Sequence, residues 1–282
     1  MYRRQFQKEP RMDRNRSSRR FAADNRAVSA VVGFILIFGI LMLTLTVYQA
    51  QIVPQQNAQT EFDQYEETRD ELIELRNAIS TAGQANLSQF PSVTLGTSYQ
   101  SRLLTINPAP AAGTLQTSEY NISIGDESGS ETNISTQFIE YQPGYNEIIV
   151  GPTWYEHSVL YEDRETRNAV TIEDQHLVTD GNELKITAVQ NSFQQSGTSR
   201  VTVELTPNQS AVDLSELEDD EELTVRIPTR LDDDYWDVLD EELDAEDSVG
   251  YEGVDDGSDV NHLALNVTNK DHLDINGVDI TS

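Results

Sequence analysis

The chain has 282 residues and a formal net charge of −30, with 49 acidic side chains, 19 basic side chains and no cysteine. The lack of cysteine excludes disulfides, thiolate metal sites and thiol nucleophiles. The acidic excess argues against nucleic-acid binding, which needs exposed lysine and arginine to contact phosphate.

Arginine outnumbers lysine 16 to 3, and the acidic excess extends over most of the chain. Self-repulsion of so many like charges destabilises a compact domain in dilute buffer. Molar salt shortens the Debye length to about 3 Å and removes most of that penalty. We therefore expect a protein adapted to high salt, with a composition like that of haloarchaeal proteins. The alternative is one specific cation-binding surface.

The first 26 residues differ from the rest in charge: they hold nine basic and three acidic side chains, whereas the remainder holds ten basic and 46 acidic ones. Positive charge is retained on the cytoplasmic side of a membrane helix. The expected orientation is therefore N-terminus inside and C-terminus outside.

An uncharged stretch of 22 residues follows, from Ala27 to Tyr48. As a helix it is about 33 Å long, enough to cross a hydrocarbon core of about 30 Å. We expect a single-pass membrane contact through residues 28–48. Gly33 and Gly39 would let other helices approach closely.

Three fates of this segment compete. A cleaved secretory signal has an apolar region of only about 7–15 residues, and Tyr48-Gln49-Ala50 does not provide its small-x-small cleavage site. A twin-arginine signal is suggested by Arg3-Arg4 and Arg19-Arg20, but the segment is too apolar for that route. The third fate is cleavage before the apolar segment.

The residues for this third fate are Asp24-Asn25-Arg26-Ala27, followed by Val28-Ser29-Ala30-Val31-Val32-Gly33. The stretch resembles the N-termini of haloarchaeal type IV pilins with a class III signal peptide, in which Arg-Ala precedes Val-Ser-Pro-Val-Ile-Gly. It departs from them at Ala30, where the family usually has proline, and in its long leader. The resemblance implies cleavage between Ala27 and Val28.

The same resemblance implies partners: prepilin peptidase, the pilus assembly machinery, and like or unlike subunits that contact the N-terminal helix. A helix that is apolar on all sides is stable in lipid or among other helices. On this basis residues 1–27 are a cytoplasmic leader and residues 28–53 a transmembrane or filament-core helix.

Residues 54–90 are expected to form an amphipathic helix and a linker, with Pro54 near the start and Gly83 near the end of the helix. The helical stripe predicts packing on the domain that follows; a short coiled-coil stalk is the alternative. Its apolar members are Phe62, Tyr65, Leu72, Leu75 and Ile79, with Ile73 beside them.

From Pro91 onward, short alternating segments bounded by turns predict β-strands. The expected fold class is α+β: a long N-terminal helix, then a mainly antiparallel, β-sandwich-like domain over residues 91–282, either single or divided near Pro207. A short helix over 235–243 is expected to place Trp236 and Leu239 in the core. The expected strands are 93–97, 101–106, 120–124, 136–141, 147–150, 154–161, 169–173, 176–179, 183–190, 200–205, 223–227, 262–267 and 273–280.

The sequence contains no recognisable catalytic, cofactor-binding or metal-binding motif, so no catalytic residue, cofactor or metal site is expected. The run Asp255–Asp259 lacks the spacing of a calcium loop. The histidines fall in predicted strands or at their edges, without metal-ligand spacing. They are His157, His176, His262 and His272.

Asn-x-Ser/Thr triplets mark candidate N-glycosylation sites in the exported part. They are Asn86, Asn121, Asn133, Asn208 and Asn266.

The expected function is that of a non-enzymatic, pilin-like cell-surface subunit, processed by prepilin peptidase and assembled into or onto a filament for adhesion. One alternative is an uncleaved, membrane-anchored ectodomain of the cell envelope, either structural or binding. Another is an exported hydrolase, in which His157 or His176 would lie near a carboxylate and a serine.

Overall fold

The computed structural model describes residues 20–102, 106–164, 169–179, 181–215, 217, 222–243 and 247–282; for residues 20–27 and Thr179 it describes the backbone alone. Most of the leader predicted at 1–27 therefore lies outside the described residues. The chain divides into two compact units: Met1–Pro54 with Arg102–Ile106, and Gln55–Ser101 with Asn107–Ser282.

Helices occupy the N-terminal part of the described chain. Helix α1 covers Arg20–Val47, a π-helical turn covers Tyr48–Ile52, and α2 covers Val53–Ala85. Pro54 follows the π-helical turn inside the continuous helix Val28–Ala85, where it has no backbone N–H to donate to the preceding turn.

Short strands and two short helices form the rest of the second unit. The helices α3 and α4 cover Asp233–Trp236 and Val238–Glu242, and Trp236 and Leu239 are buried as expected. The strands are β1 Ser92–Thr94, β2 Gly113–Asp126, β3 Glu131–Gln142, β4 Thr153–Glu156, β5 Val159–Glu162, β6 Val170–Glu173, β7 Val178–Thr179, β8 Glu183–Gln190, β9 Gln194–Gly197, β10 Arg200–Thr202, β11 Glu204–Pro207, β12 Leu223–Thr229, β13 Val249–Asp255, β14 Asn261–Val267 and β15 Leu273–Thr281.

These strands form three sheets within the described residues. The largest has the order β13-β14-β12-β2-β3-β4-β5-β6, with β9 also paired to β2. The second has the order β11-β15-β8-β7, and β1 pairs with β10. Pairing is antiparallel except between β8 and β15, which run parallel. The expected α+β class with a mostly antiparallel sheet domain is confirmed.

Two hydrophobic clusters hold the second unit together. In the first, Ile122 and Phe138 of the large sheet pack with Leu184 and Ile275 of the four-stranded sheet. In the second, α2 packs its apolar side on the strands. The predicted packing of this helix on the β domain is therefore confirmed; its members there are Leu72, Leu75, Ile79 and Ala82.

The strand predicted at 147–150 is wrong, because these residues form a loop. The Glu61 carboxylate on α2 accepts the backbone N–H groups of Asn146, Glu147 and Ile148 at 2.8, 2.8 and 3.0 Å. Successive N–H groups of a strand point to opposite sides, so three in a row cannot share one acceptor in a strand.

The single strand predicted at 154–161 is also wrong: it is the hairpin β4–β5. The turn residues His157 and Ser158 have φ values of 43° and 76°. Two-residue hairpin turns with positive φ usually carry Asn-Gly, so this sequence gave no turn signal. The strand predicted at 200–205 is divided at Val203, and no strand is present at 101, 102 or 106, while 103–105 lie outside the described residues.

Candidate functional site

Residues 28–47 of α1 carry no charged side chain, whereas the sequence of its first two turns includes Arg20, Asp24 and Arg26. Within the described residues, one helix is long and apolar enough to cross a membrane, judged by length and composition: the continuous helix Val28–Ala85, which begins inside α1. Its most apolar window has no buried residue within this structure. A Cβ atom at Gly33 or Gly39 would meet no other atom within 4 Å. Ala27 and Val28, the residues of the predicted cleavage bond, both lie within α1.

The buried face of α2 changes character along the helix. Its second half is the apolar stripe described above, and its first half is polar. Phe62, predicted to belong to the apolar stripe, is 46% exposed. Spacing by three or four residues also holds for the polar members, although apolar spacing alone predicted the buried face. The polar members are Asn57, Glu61, Gln64 and Thr68.

Glu61 is the centre of the first polar contact of α2. Besides the three backbone N–H groups, its carboxylate accepts the hydroxyl of Tyr99. The amide of Asn146 donates to the same hydroxyl at 2.7 Å. Burial, then the hydrogen bond to Glu61, raises the pKa of Tyr99 to about 12. A fully buried carboxylate is thus satisfied by donors from two loops.

Glu71 forms the second polar contact of α2. Its carboxylate accepts the backbone N–H of Thr94 at 2.6 Å and the hydroxyl of the same residue at 3.1 Å. It also forms an ion pair with Arg200 on β10. The Thr68 hydroxyl donates to the Thr94 carbonyl at 3.0 Å. These contacts bind β1 to the helix.

Arg76 forms the third polar contact and is almost fully buried. Its guanidinium donates to the backbone carbonyls of Ser158 and Asp174, each at 2.7 Å. The first carbonyl belongs to the β4–β5 turn and the second follows β6. Together the three contacts attach α2 to separate parts of the β domain.

A cleft of about 520 Å³ lies on the β domain, within the size range of small-molecule sites. Arg230 is the basic side chain among its described lining residues. The lining consists of Tyr161, Asp163, Ala169, Arg230, Leu231, Asp232, Asp234 and Tyr235.

Glu156 lies fully buried beneath this cleft. Its carboxylate accepts the Thr229 hydroxyl, the Arg230 backbone N–H at 3.1 Å and the Tyr161 hydroxyl at 3.2 Å. Burial raises the pKa of Glu156 to about 6. Sequence analysis missed this residue; its signal was a lone carboxylate within the apolar run of residues 153–161.

Arg230 is held in place from two sides. Its guanidinium carbon lies 4.0 Å from the centre of the Trp154 ring, and a guanidinium nitrogen lies 3.4 Å from the Asp163 carboxylate. Among its described lining residues, the cleft therefore presents the fixed cation of Arg230 beside carboxylates. Within the described residues, no group of three or more His, Cys, Asp or Glu side chains is placed to hold a metal ion.

The four histidines lie in different surroundings. The His157 ring is buried edge-on against Phe138, and burial lowers its pKa to about 4. His176 is exposed and donates its backbone N–H, not its ring, to the Ser158 hydroxyl at 2.8 Å. His272 contacts the Asn182 carbonyl through Nδ1, and His262 is half-buried on β14.

The five candidate glycosylation sites differ in exposure. Asn86 follows α2 and is exposed, with a positive φ of 54°. Asn121 and Asn133 are exposed on β2 and β3. Asn208 and Asn266 are half-buried, and their amides donate to Asp279 and Glu252 at 2.8 and 2.6 Å. The first three present the more accessible amides.

Comparisons with known proteins add one relative. No family model and no solved structure matches the chain. A protein of Archaeoglobus fulgidus described as uncharacterized is 26% identical over 136 residues, which is 47% of this chain and 22% of that relative. Because the chain spans less than a quarter of that relative's length, the match supports an archaeal relationship and no specific activity.

Proposed function

We propose that this protein is a non-enzymatic, pilin-like subunit of the archaeal cell surface. In this proposal prepilin peptidase removes residues 1–27, leaving Val28 as the first residue. The assembly machinery then moves the apolar helix from the membrane into or onto a filament, which serves adhesion or surface contact.

The observation that carries the proposal is the uncharged, uncovered surface of residues 28–47 of α1 in a chain that is otherwise strongly acidic. Such a surface is stable only in lipid or against other helices. The basic side chains of residues 1–26 support an orientation with the N-terminus inside. The sequence around Ala27 and Val28 supports cleavage at that bond.

The attachment of α2 to the β domain is the second support. Buried polar contacts through Glu61, Glu71 and Arg76 bind the helix at three places, in addition to its apolar stripe. A subunit that transmits load between a helix and a surface domain requires such a fixed connection. Exposed acidic residues then provide the outer surface in molar salt.

The test is the N-terminus of the mature protein in cells with and without prepilin peptidase, measured by mass spectrometry of the membrane and surface fractions. We expect a chain beginning at Val28 when the peptidase is present and one that retains residues 1–27 when it is absent. An Ala27→Trp variant should retain the leader in both strains, whereas Ala58→Trp, beyond the cleavage region, should be processed normally.

An intact N-terminus in both strains would overturn the proposal. The protein would then be a permanently anchored ectodomain of the cell envelope. A start at Val28 followed by electron microscopy of sheared surface fractions would show whether the processed subunit enters a filament.

A further inference from the structure

The hairpin β2–β3 brings two identical tripeptides into direct pairing. These are Asn121-Ile122-Ser123 and Asn133-Ile134-Ser135. In the antiparallel register Asn121 lies opposite Ser135, and Ser123 lies opposite Asn133. Each glycosylation triplet therefore has the asparagine of the other beside its own serine.

The two triplets also share one orientation. Ile122 and Ile134 are 0% and 2% exposed and point into the core, so both asparagines and both serines lie on the outer face. Asn121 and Asn133 are exposed, and the serines of the two triplets, Ser123 and Ser135, are half-buried. The Ser135 hydroxyl donates to Glu119 on the same face at 3.0 Å.

The short distance between Asn121 and Asn133 leaves room for one sugar chain on this face of the hairpin. Asn121 and Asn133 are diagonal neighbours on adjacent strands, a relationship that places residues about 7–8 Å apart. The ring of a first sugar is comparable in width to the spacing of strands, about 4.7–4.9 Å. A glycan on either amide therefore extends over the serine and the asparagine of the other triplet.

The hairpin is also local in sequence. Residues 127–130 connect its strands, and hairpins of this kind form in about 1–10 μs. In the folded domain the two triplets are paired, so a glycosylating enzyme that acts on it meets both together on one face.

We propose that Asn121 and Asn133 form one composite acceptor that carries a single N-linked oligosaccharide per chain. This inference rests on the proposed export of the β domain. In the transfer, the asparagine Nδ2 forms a bond to sugar C1 and the C1–O bond to a lipid-linked phosphate breaks. The phosphate leaves with the bonding electrons, and the amide loses one proton.

Mass spectrometry of tryptic glycopeptides from the full chain, purified from a haloarchaeal host, tests the proposal. No lysine or arginine lies between Arg102 and Arg164, so both triplets fall in peptide 103–164. The mass of this peptide therefore gives the number of glycans that the two asparagines carry. Peptide 77–102 carries Asn86 and serves as an internal control.

We expect peptide 103–164 to carry no more than one glycan, distributed between the two asparagines. Asn121→Gln and Asn133→Gln should each retain a glycosylated fraction close to that of the unaltered chain, and the double variant should lose it.

A major species with two glycans, or a halved fraction in each single variant, would overturn the proposal. Absence of any glycan from peptide 103–164 in chains that are glycosylated at Asn86 would also overturn the proposal. Because the N-terminus at Val28 is measured separately, failure of the hairpin proposal is distinguishable from failure of the proposed function.

Discussion

The carboxylate of Glu61 on α2 accepts the backbone N–H of Glu147 at 2.8 Å, across 86 positions of sequence. Glu61 is fully buried and also binds the N–H groups on either side of Glu147. One helical side chain therefore determines the course of a loop that the sequence alone predicts to be a strand.

The first prediction concerns this contact. Glu61→Gln replaces one acceptor oxygen by a donor, which faces N–H groups that need acceptors. We expect a loss of about 1–3 kcal/mol in the free energy of unfolding, the usual penalty for an unsatisfied buried group. Urea denaturation in molar KCl measures it. Glu66→Gln, on the exposed side of α2, should change stability little; equal losses in the two variants would contradict the role of Glu61.

The second prediction concerns the apolar half of α2. Leu75→Ala should destabilise the β domain by about 2–5 kcal/mol, because it leaves a cavity in the cluster shared with the strands. Phe62→Ala, at a half-exposed position, is the matched control and should cost far less. Residues 55–282 should fold without the preceding segment, whereas residues 91–282 should not, as judged by cooperative urea unfolding.

The third prediction concerns pH. Burial lowers the pKa of His157 from 6.5 to about 4, so the folded chain takes up this proton later than the unfolded chain during acidification. That difference reduces stability as the pH falls from 6.5 to 4. Burial raises the pKa of neighbouring Glu156 from 4.5 to about 6, so the folded chain takes up its proton first, which stabilises it as the pH falls through 6.

The two adjacent residues therefore oppose each other between about pH 6 and 4.5. Glu156→Gln should make the loss of stability on acidification steeper, and His157→Asn should make it shallower. Each group changes the slope by no more than about 1.4 kcal/mol per pH unit. Urea titrations between pH 4 and 7 at fixed salt measure these slopes, and parallel curves for the variants and the unaltered chain would contradict the assignment.

The fourth prediction concerns the wall of the cleft. Arg230→Lys loses the planar group stacked on Trp154, and we expect a loss of about 0.5–1 kcal/mol in stability together with a shift of tryptophan fluorescence. Arg226→Lys is the control, since the Arg226 side chain is exposed and forms an ion pair with an exposed Asp255 at 3.7 Å. Thermal melts that rank the control as the more damaging change would exclude the stacking role.

Patterns that depend on neighbouring residues were predicted well from sequence. The alternation over residues 183–190 predicted β8 with its observed bounds, and the acidic start of the 235–243 segment predicted the helical region that buries Trp236. These signals arise from periodicity and from the helix dipole, both of which are local.

Features set by distant contacts were not predicted. The turn at His157 and Ser158 has no glycine or asparagine, and the Arg76 guanidinium that binds the Ser158 carbonyl comes from α2. The burial of Glu156 depends on Thr229, 73 positions later in the chain. The strands β9 and β13 were missed because their sequences lack a clear apolar alternation.

If the β domain is exported as proposed, the position of β15 has a consequence for the order of events. This strand follows every other strand in the chain, yet it lies inside its sheet, between β11 and β8. In that case β8 lacks its parallel partner, and β11 has no partner in that sheet, until Leu273–Thr281 has crossed the membrane. If export proceeds from the N-terminal side of the domain, the four-stranded sheet closes only after translocation of this segment is complete. A completely folded outer domain would then indicate that translocation of the whole domain is complete.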